Sequence, residues 1–410
     1  MTIKKILYVH HTTALGGATN SLLYNIQNLP ADKYSAEVLF LEREGVASEI
    51  FKKNGIKIHH IEGIVNYQHA DNAIIKWISR KPLQPLLQFF KMLDSVPKLE
   101  AYLADKSYDI IHINTSVMLP VGIAAKRKGL KVVWHVREPI AKGVLGLRRW
   151  LVRRIINKNA DKIIAISKQD AQSLGKSDKI EVVYNFVDFK KFNKDMNSAT
   201  LLNELGMPQN TRFITMLGGV VHSKGADLFI KAIPEVITKN PDAMFIIAGY
   251  PPNYFGVTST KNSLVRLIKL LFRKKDLSKE CLKLIKKFNV QNKVKFIGLR
   301  QDIPQILASS KLLVWPASIP HFARPIIEAQ AMGVPAVACN FKSSAEIIAD
   351  KRTGLLFNPG DHNDLADKIN LLLENTEMYD AISKEGYQQA TKLFNSEINF
   401  KKILTIYNSL

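Results

Sequence analysis

Residues 311–348 read KLLVWPASIPHFARPIIEAQAMGVPAVACNFKSSAEII. An apolar run closes at Trp315, a loop of Pro, His and Phe follows, a helical segment opens near Arg324, and a second apolar run, PAVACN, comes after it. Pro325 suits a first helical turn, where its missing N–H costs no hydrogen bond. Strand, helix and strand in that order make a βαβ unit, whose two strands lie parallel. Ligands of such sheets bind outside the carboxyl ends of the strands, so the loop after Trp315 is the first place to look for chemistry. Amides at the helix start would face a phosphate. Glu328, about one turn in, carries a carboxylate able to accept two hydrogen bonds from vicinal hydroxyls such as those of a ribose.

The same alternation extends in both directions. Upstream stand KKILYVHH, AEVLFLER, IKIHHIE, DIIHINTS, KVVWHVRE, DKIIAISK and IEVVYN, with room for helices between them. A polar stretch, FVDFKKFNKDMNSAT, then interrupts the pattern and marks a domain boundary. A second series follows: FITMLGG, AMFIIAGY, KVKFIGL, KLLVWPA, PAVACN and GLLFNP. From Asn363 onward the chain reads as amphipathic helices without strand signals. Two parallel α/β domains in tandem are expected, and 410 residues suffice for both cores.

Composition narrows the class. With 46% hydrophobic and 23% charged residues the chain is globular. Cys281 and Cys339 are far apart and lack C-x-x-C spacing, which points to a reducing compartment and away from zinc or dithiol chemistry. MTIKKILYVHH reads as a first strand, not as a leader, and no run of 18 uncharged apolar residues is present. A net charge of +22 calls for anionic partners. Basic residues interleaved with aliphatics fill 251–288, IIKWISRKPLQPLLQFFKML (74–93) and VLGLRRWLVRRIINK (144–158). Such segments fit an anionic leaflet, and surface helices with snorkelling side chains fit them about equally. Nucleic acid is not expected, because the basic residues lack stacking aromatics and a recognised module.

Two glycine-rich loops are further candidates. TTALGGATNSLLYNI places Gly16 and Gly17 before a helical segment, where the amides could take a phosphate or the glycines could serve a plain tight turn. LGGVVHSKGADLFIKAI places Gly218 and Lys224 between a strand and a helix, where the lysine can neutralise a diphosphate.

The pattern F-x-R-P-x-x-E-A-x-A-x-G-x-P-x-V over 322–337, with Ala345-Glu346-Ile347-Ile348 and Gly354-Leu355-Leu356 after it, resembles glycosyltransferase family 4, the retaining group with the GT-B fold. Gly16-Gly17, Ile166-Ser167, Tyr184-Asn185, Val187-Asp188, Lys224-Gly225, Ala248-Gly249, Phe296, Gly298 and the closing FNSEINFKKILTIY agree in order, so the resemblance covers nearly the whole chain. It implies two Rossmann-like parallel-sheet domains facing a central cleft with C-terminal helices packing across: an acceptor-side domain over 1–188, a nucleotide-sugar-binding domain over 189–385, and a last helix over 386–410 returning to the first domain.

The activity implied is transfer of a hexosyl or N-acetylhexosaminyl group, with retention, from a UDP- or GDP-linked sugar to a glycan or polyprenyl-linked acceptor. The setting would be polysaccharide or glycoconjugate synthesis in the cytoplasm, at the inner face of the membrane. No cofactor and no metal are expected, since no Asp-x-Asp stands at a strand end. Glu328 would hold the ribose, Lys224 the diphosphate, and the backbone from Phe322 through Ala323 to Arg324 and Pro325 the phosphates and sugar. His135, at the end of KVVWHVRE, matches a family position close to the transferred sugar. Two positions depart from the pattern: Pro320 stands where the family has its first motif glutamate, with His321 as a possible substitute contact, and Gly219 stands where it has an arginine. A non-catalytic GT-B partner or regulator is therefore the alternative reading.

Overall fold

A computed structural model describes residues 3–14, 16–68, 84–250 and 277–410. Most of the basic segment 251–288, and the 74–83 part of the other basic stretch, lie outside the described residues. The chain forms two compact units, Met1–Phe186 with Glu397–Leu410, and Val187–Ser396.

The first unit is built on β1 (Lys4–His10), β2 (Tyr34–Phe40), β3 (Lys57–His60), β4 (Ile110–Ile113), β5 (Lys131–Val136), β6 (Lys162–Ala165) and β7 (Ile180–Val182). Their order is β3-β2-β1-β4-β5-β6-β7, and every pair is parallel. Alternate residues of β1 serve opposite cores: Leu7 and Val9 join one apolar cluster, Ile6 and Tyr8 the other. Strands covered on both faces read as continuous apolar runs, which is why KKILYVHH shows no alternation. The helix Ser396–Asn408 closes the second of these cores with Phe400, Ile403, Ile406 and Tyr407, spaced to fall on one stripe.

The second unit holds β8 (Phe213–Leu217), β9 (Met244–Ala248), β10 (Val294–Gly298), β11 (Ser310–Trp315), β12 (Ala336–Cys339) and β13 (Leu355–Phe357), in the order β10-β9-β8-β11-β12-β13. The stretch 311–348 forms β11, the helix Arg324–Ala331 and β12, with Leu313 opposite Ala336 and Trp315 opposite Ala338. Strand order reverses between β8 and β11, so the loops after these two strands flank a topological switch point, where open α/β sheets bind ligands. The helices His362–Glu374 and Thr376–Leu393 complete this unit.

Gly225 shows how closely the two switch-point loops meet. Its φ is +73°, and a Cβ there would lie 1.9 Å from the carbonyl oxygen of Pro316. Gly225→Ala is expected to destabilise the second unit by about 3 kcal/mol, from left-handed strain and overpacking together. Urea unfolding measures this, and a variant as stable as the parent would contradict the close contact.

Candidate functional site

In the second unit the loops after β8 and β11 are laced together: the Ser318 amide donates to the carbonyl of Ser223 at 3.2 Å and its hydroxyl to that of His222 at 2.6 Å. This holds Lys224 against the loop after β11. Its Nζ lies 4.6 Å from the Trp315 ring centroid and 2.9 Å from His321 Nε2. His321 Nδ1 is 3.0 Å from the Ile319 carbonyl, which can only accept. Nδ1 therefore carries the proton and Nε2 accepts from the ammonium. Lost hydration pulls Lys224 down to about 8. The same loss, with the lysine charge beside it, pushes His321 down to about 4. The lysine is a half-buried cation with a neutral ring as hydrogen-bond partner.

The helix Arg324–Ala331 starts beside this pair. Among the described residues no side-chain oxygen caps it; its first turn holds no acidic residue, and Pro325 occupies that turn. A cation at a helix start opposes the dipole by a few tenths to about 1 kcal/mol, yet Arg324 stands there. Helix starts of this kind are where proteins commonly bind anions. Glu328, 8% exposed, accepts from Arg324 Nε at 2.6 Å. The two residues given separate tasks on sequence grounds, phosphate and ribose, are thus coupled as an ion pair. Phe322 is buried with its ring centroid 6.2 Å from that of Phe394, and Ala323 is the residue preceding the helix. Gly218, with φ +117°, lies along the Lys224 stem. Gly219 has no room for a side chain, since a Cβ would fall 2.2 Å from the Tyr250 amide nitrogen. Its glycine is a requirement of this backbone, and no cation can stand there without moving the loop.

Gly16, Gly17 and His135 belong to the first unit. Gly16 precedes the helix Gly17–Gln27, which also lacks a side-chain cap and an acidic first turn. A Cβ at Gly16 would meet nothing within 4 Å, so internal packing does not demand this glycine. His135 is 3% exposed in β5. It belongs to a polar cluster with the buried His10, His112, Asn114 and Tyr407 and the half-buried Arg137. Burial, and next the Arg137 charge, push His112 down to about 3, and His135 is held well below the usual histidine range by the same causes.

Residues 15–191 match the model of glycosyltransferase family 4, and residues 197–389 that of the glycosyl transferases group 1. The chain belongs to glycosyltransferase family 4. It is 26% identical over 341 residues to the UDP-Gal:alpha-D-GlcNAc-diphosphoundecaprenol alpha-1,3-galactosyltransferase of Escherichia coli, covering 78% of this chain and 80% of that one. To the capsular polysaccharide biosynthesis glycosyltransferase CapM of Staphylococcus aureus it is 23% identical, over 88% and 92% of the two chains. Among solved structures, Anabaena HepE in complex with UDP-glucose superposes with a TM-score of 0.75 at 23% identity, over 99% and 100% of the chains. The fold is GT-B, and this family 4 member is a glycosyltransferase.

Sequence reasoning about the glycosyltransferase missed the polar cluster. His10, His112 and Arg137 sit within or beside strand runs, where each reads singly as a strand-end polar residue. It also overstated the basic face of 144–158. Arg148 is buried, Arg149 Nε donates to the Ile140 carbonyl, and Arg153 donates to the carbonyls of Ser173 and Gln172. Leu145, Leu147 and Trp150 remain exposed at 94%, 61% and 58%, with Arg154 over the Trp150 ring. Leu87 and Phe90 are exposed on the helix Gln84–Leu93. Among the described residues no helix is long and apolar enough to cross a membrane.

Proposed function

We propose that the enzyme transfers a hexosyl or N-acetylhexosaminyl group from a UDP-linked sugar, with retention and without a metal, to a polyprenyl-linked or glycan acceptor. The observation that carries this reading is the half-buried Lys224 ammonium, hydrogen-bonded to neutral His321 beside a helix start that carries Arg324 and no acid in its first turn. That arrangement suits a diphosphate. As the sugar–phosphate bond opens toward an oxocarbenium-like state, negative charge grows on the departing diphosphate, where Lys224 and the helix-start amides act. Glu328 takes the ribose hydroxyls, His135 the sugar, and the Gly16-Gly17 helix start a phosphate. Two similar proteins support the donor and acceptor classes: the Escherichia coli enzyme uses UDP-Gal and a GlcNAc-diphosphoundecaprenol acceptor, and HepE holds UDP-glucose. A GDP-linked donor is the competing outcome of the same screen.

The non-catalytic alternative rests on Pro320 and Gly219. Thermal unfolding separates nucleotides first: UDP at a hundredfold excess over its Kd should add about 2.7 kcal/mol, and GDP or ADP should add far less. Hydrolysis of UDP-glucose and UDP-galactose then separates enzyme from partner, since protection without turnover favours the latter.

The inner face of the cytoplasmic membrane is the proposed location, supported by the exposed Leu145, Leu147 and Trp150, with Arg154 over the Trp150 ring. Vesicles containing phosphatidylglycerol should sediment the protein at physiological salt, and Trp150→Ala should weaken this several-fold. A protein that stays in the supernatant contradicts it.

A further inference from the structure

Arg137 determines which nitrogen of His135 carries the proton. A guanidinium only donates, and Arg137 Nη2 lies 3.4 Å from His135 Nδ1. Nδ1 is therefore the bare, accepting nitrogen, and Nε2 bears the hydrogen. The guanidinium cannot turn away, because Nε and Nη2 also donate to Asn114 Oδ1 at 3.1 and 2.8 Å, and Nη1 donates to Asn185 Oδ1 at 3.1 Å.

The rest of the cluster agrees. His112 Nε2, 3.2 Å from the same Nδ1, must be a donor there, which leaves His112 Nδ1 bare. That nitrogen accepts the Tyr407 hydroxyl at 2.7 Å, and the Tyr407 oxygen accepts the Tyr8 hydroxyl at 3.0 Å. Every donor in the series Tyr8, Tyr407, His112, His135 points the same way. Burial raises both phenols and lowers both imidazoles, so no member ionises near neutral pH to reverse the direction. At the end of the series His135 Nε2 is buried and has no hydrogen-bond partner among the described residues. A buried N–H without an acceptor is costly and uncommon. It is what a ligand-binding donor looks like before the ligand arrives.

We propose that Tyr407, His112 and Arg137 are positioning residues that hold His135 as the Nε2–H tautomer, so that it donates a hydrogen bond to an oxygen of the transferred sugar and cannot accept one. This rests on the reading above that His135 meets the donor sugar. It also gives the last helix, Ser396–Asn408, a part in donor recognition, since Tyr407 lies on it.

Nitrogen-15 spectra of protein labelled at histidine test the tautomer without any ligand, with His135→Gln used for assignment. His135 should show a protonated Nε2 and a bare Nδ1 in the wild type, and a mixture of tautomers in the double variant Arg137→Met with Tyr407→Phe, which removes both constraints on Nδ1. Binding provides the second readout. The double variant should bind UDP within twofold of wild type and UDP-glucose about fivefold more weakly, the worth of one hydrogen bond. A merely structural role would weaken both ligands together. A wild-type His135 protonated at Nδ1, or equal effects on UDP and UDP-glucose, would overturn the proposal. If wild-type protein binds no UDP at all, the donor-site reading fails instead, and the spectra still decide the tautomer.

Discussion

Lys224→Met is expected to lower turnover of the donor by about 10²–10³-fold, the usual loss when one group stabilising transition-state charge is removed. Methionine keeps the stem and a favourable contact with the Trp315 ring, so the fold should survive. The ammonium is half-buried, its hydrogen-bond partner is the neutral His321, and burial already weakens its hold on the proton. Removing such a cation from the ligand-free protein should therefore cost little stability. The loss should appear in turnover and in affinity for UDP. Because the lysine is pulled down to about 8, UDP affinity in the wild type should also fall as pH rises through that value, and the methionine variant should lack this dependence. Steady-state kinetics with the donor selected by the screen measure the effect, and near-normal turnover would exclude Lys224 from the diphosphate site.

Between pH 7 and pH 5 the first unit is expected to lose about 6 kcal/mol of stability. His10, His112 and His135 are each held well below the ordinary histidine value, first of all by burial. The unfolded chain then binds more protons than the folded one, so stability rises with pH through this window. The contribution is fully present above the unfolded value of about 6.5 and is lost as pH falls from there toward about 3, where His112 titrates in the folded state. Each histidine that stays neutral in the fold accounts for about 2 kcal/mol at pH 5. Glu37 does not blur the window: against burial, which raises it, Lys57, His59 and Tyr108 pull it down to about 2, so its contribution is lost only at lower pH. Urea unfolding at the two pH values measures the difference. Equal stability at pH 5 and 7 would mean that the cluster is hydrated.

Much of the fold was legible because parallel strands buried on both faces must be apolar throughout, and such runs stand out between amphipathic helices. The stretch 311–348 became β11, a helix and β12 as its punctuation indicated, with Pro325 in the first helical turn. The site was legible in pieces. Lys224 and His321, 97 residues apart, meet only because the Ser318 bonds and the Gly225–Pro316 contact lace two loops together, and neither leaves a local signature. Gly219 read as a missing arginine, whereas its backbone packs against Tyr250 and leaves no space for a side chain. The histidines of β1 and β4 were hidden for the opposite reason: each is an ordinary residue in its own strand, and only pairing brings them into the cluster of His135. Arg148, Arg149 and Arg153 turn to the interior or to backbone carbonyls, which charge periodicity along 144–158 does not show.

The central claim is that the helix beginning at Arg324 and its Glu328 bind the nucleotide of the donor. Calorimetric titration of UDP into the wild type and into Glu328→Ala tests it most directly, with thermal unfolding of both proteins as the control for folding. The wild type should bind UDP, and Glu328→Ala should lose at least tenfold in affinity, about 1.4 kcal/mol, in keeping with a lost charge-assisted hydrogen bond to a ribose hydroxyl. A folded Glu328→Ala protein that binds UDP as tightly as the wild type would contradict it.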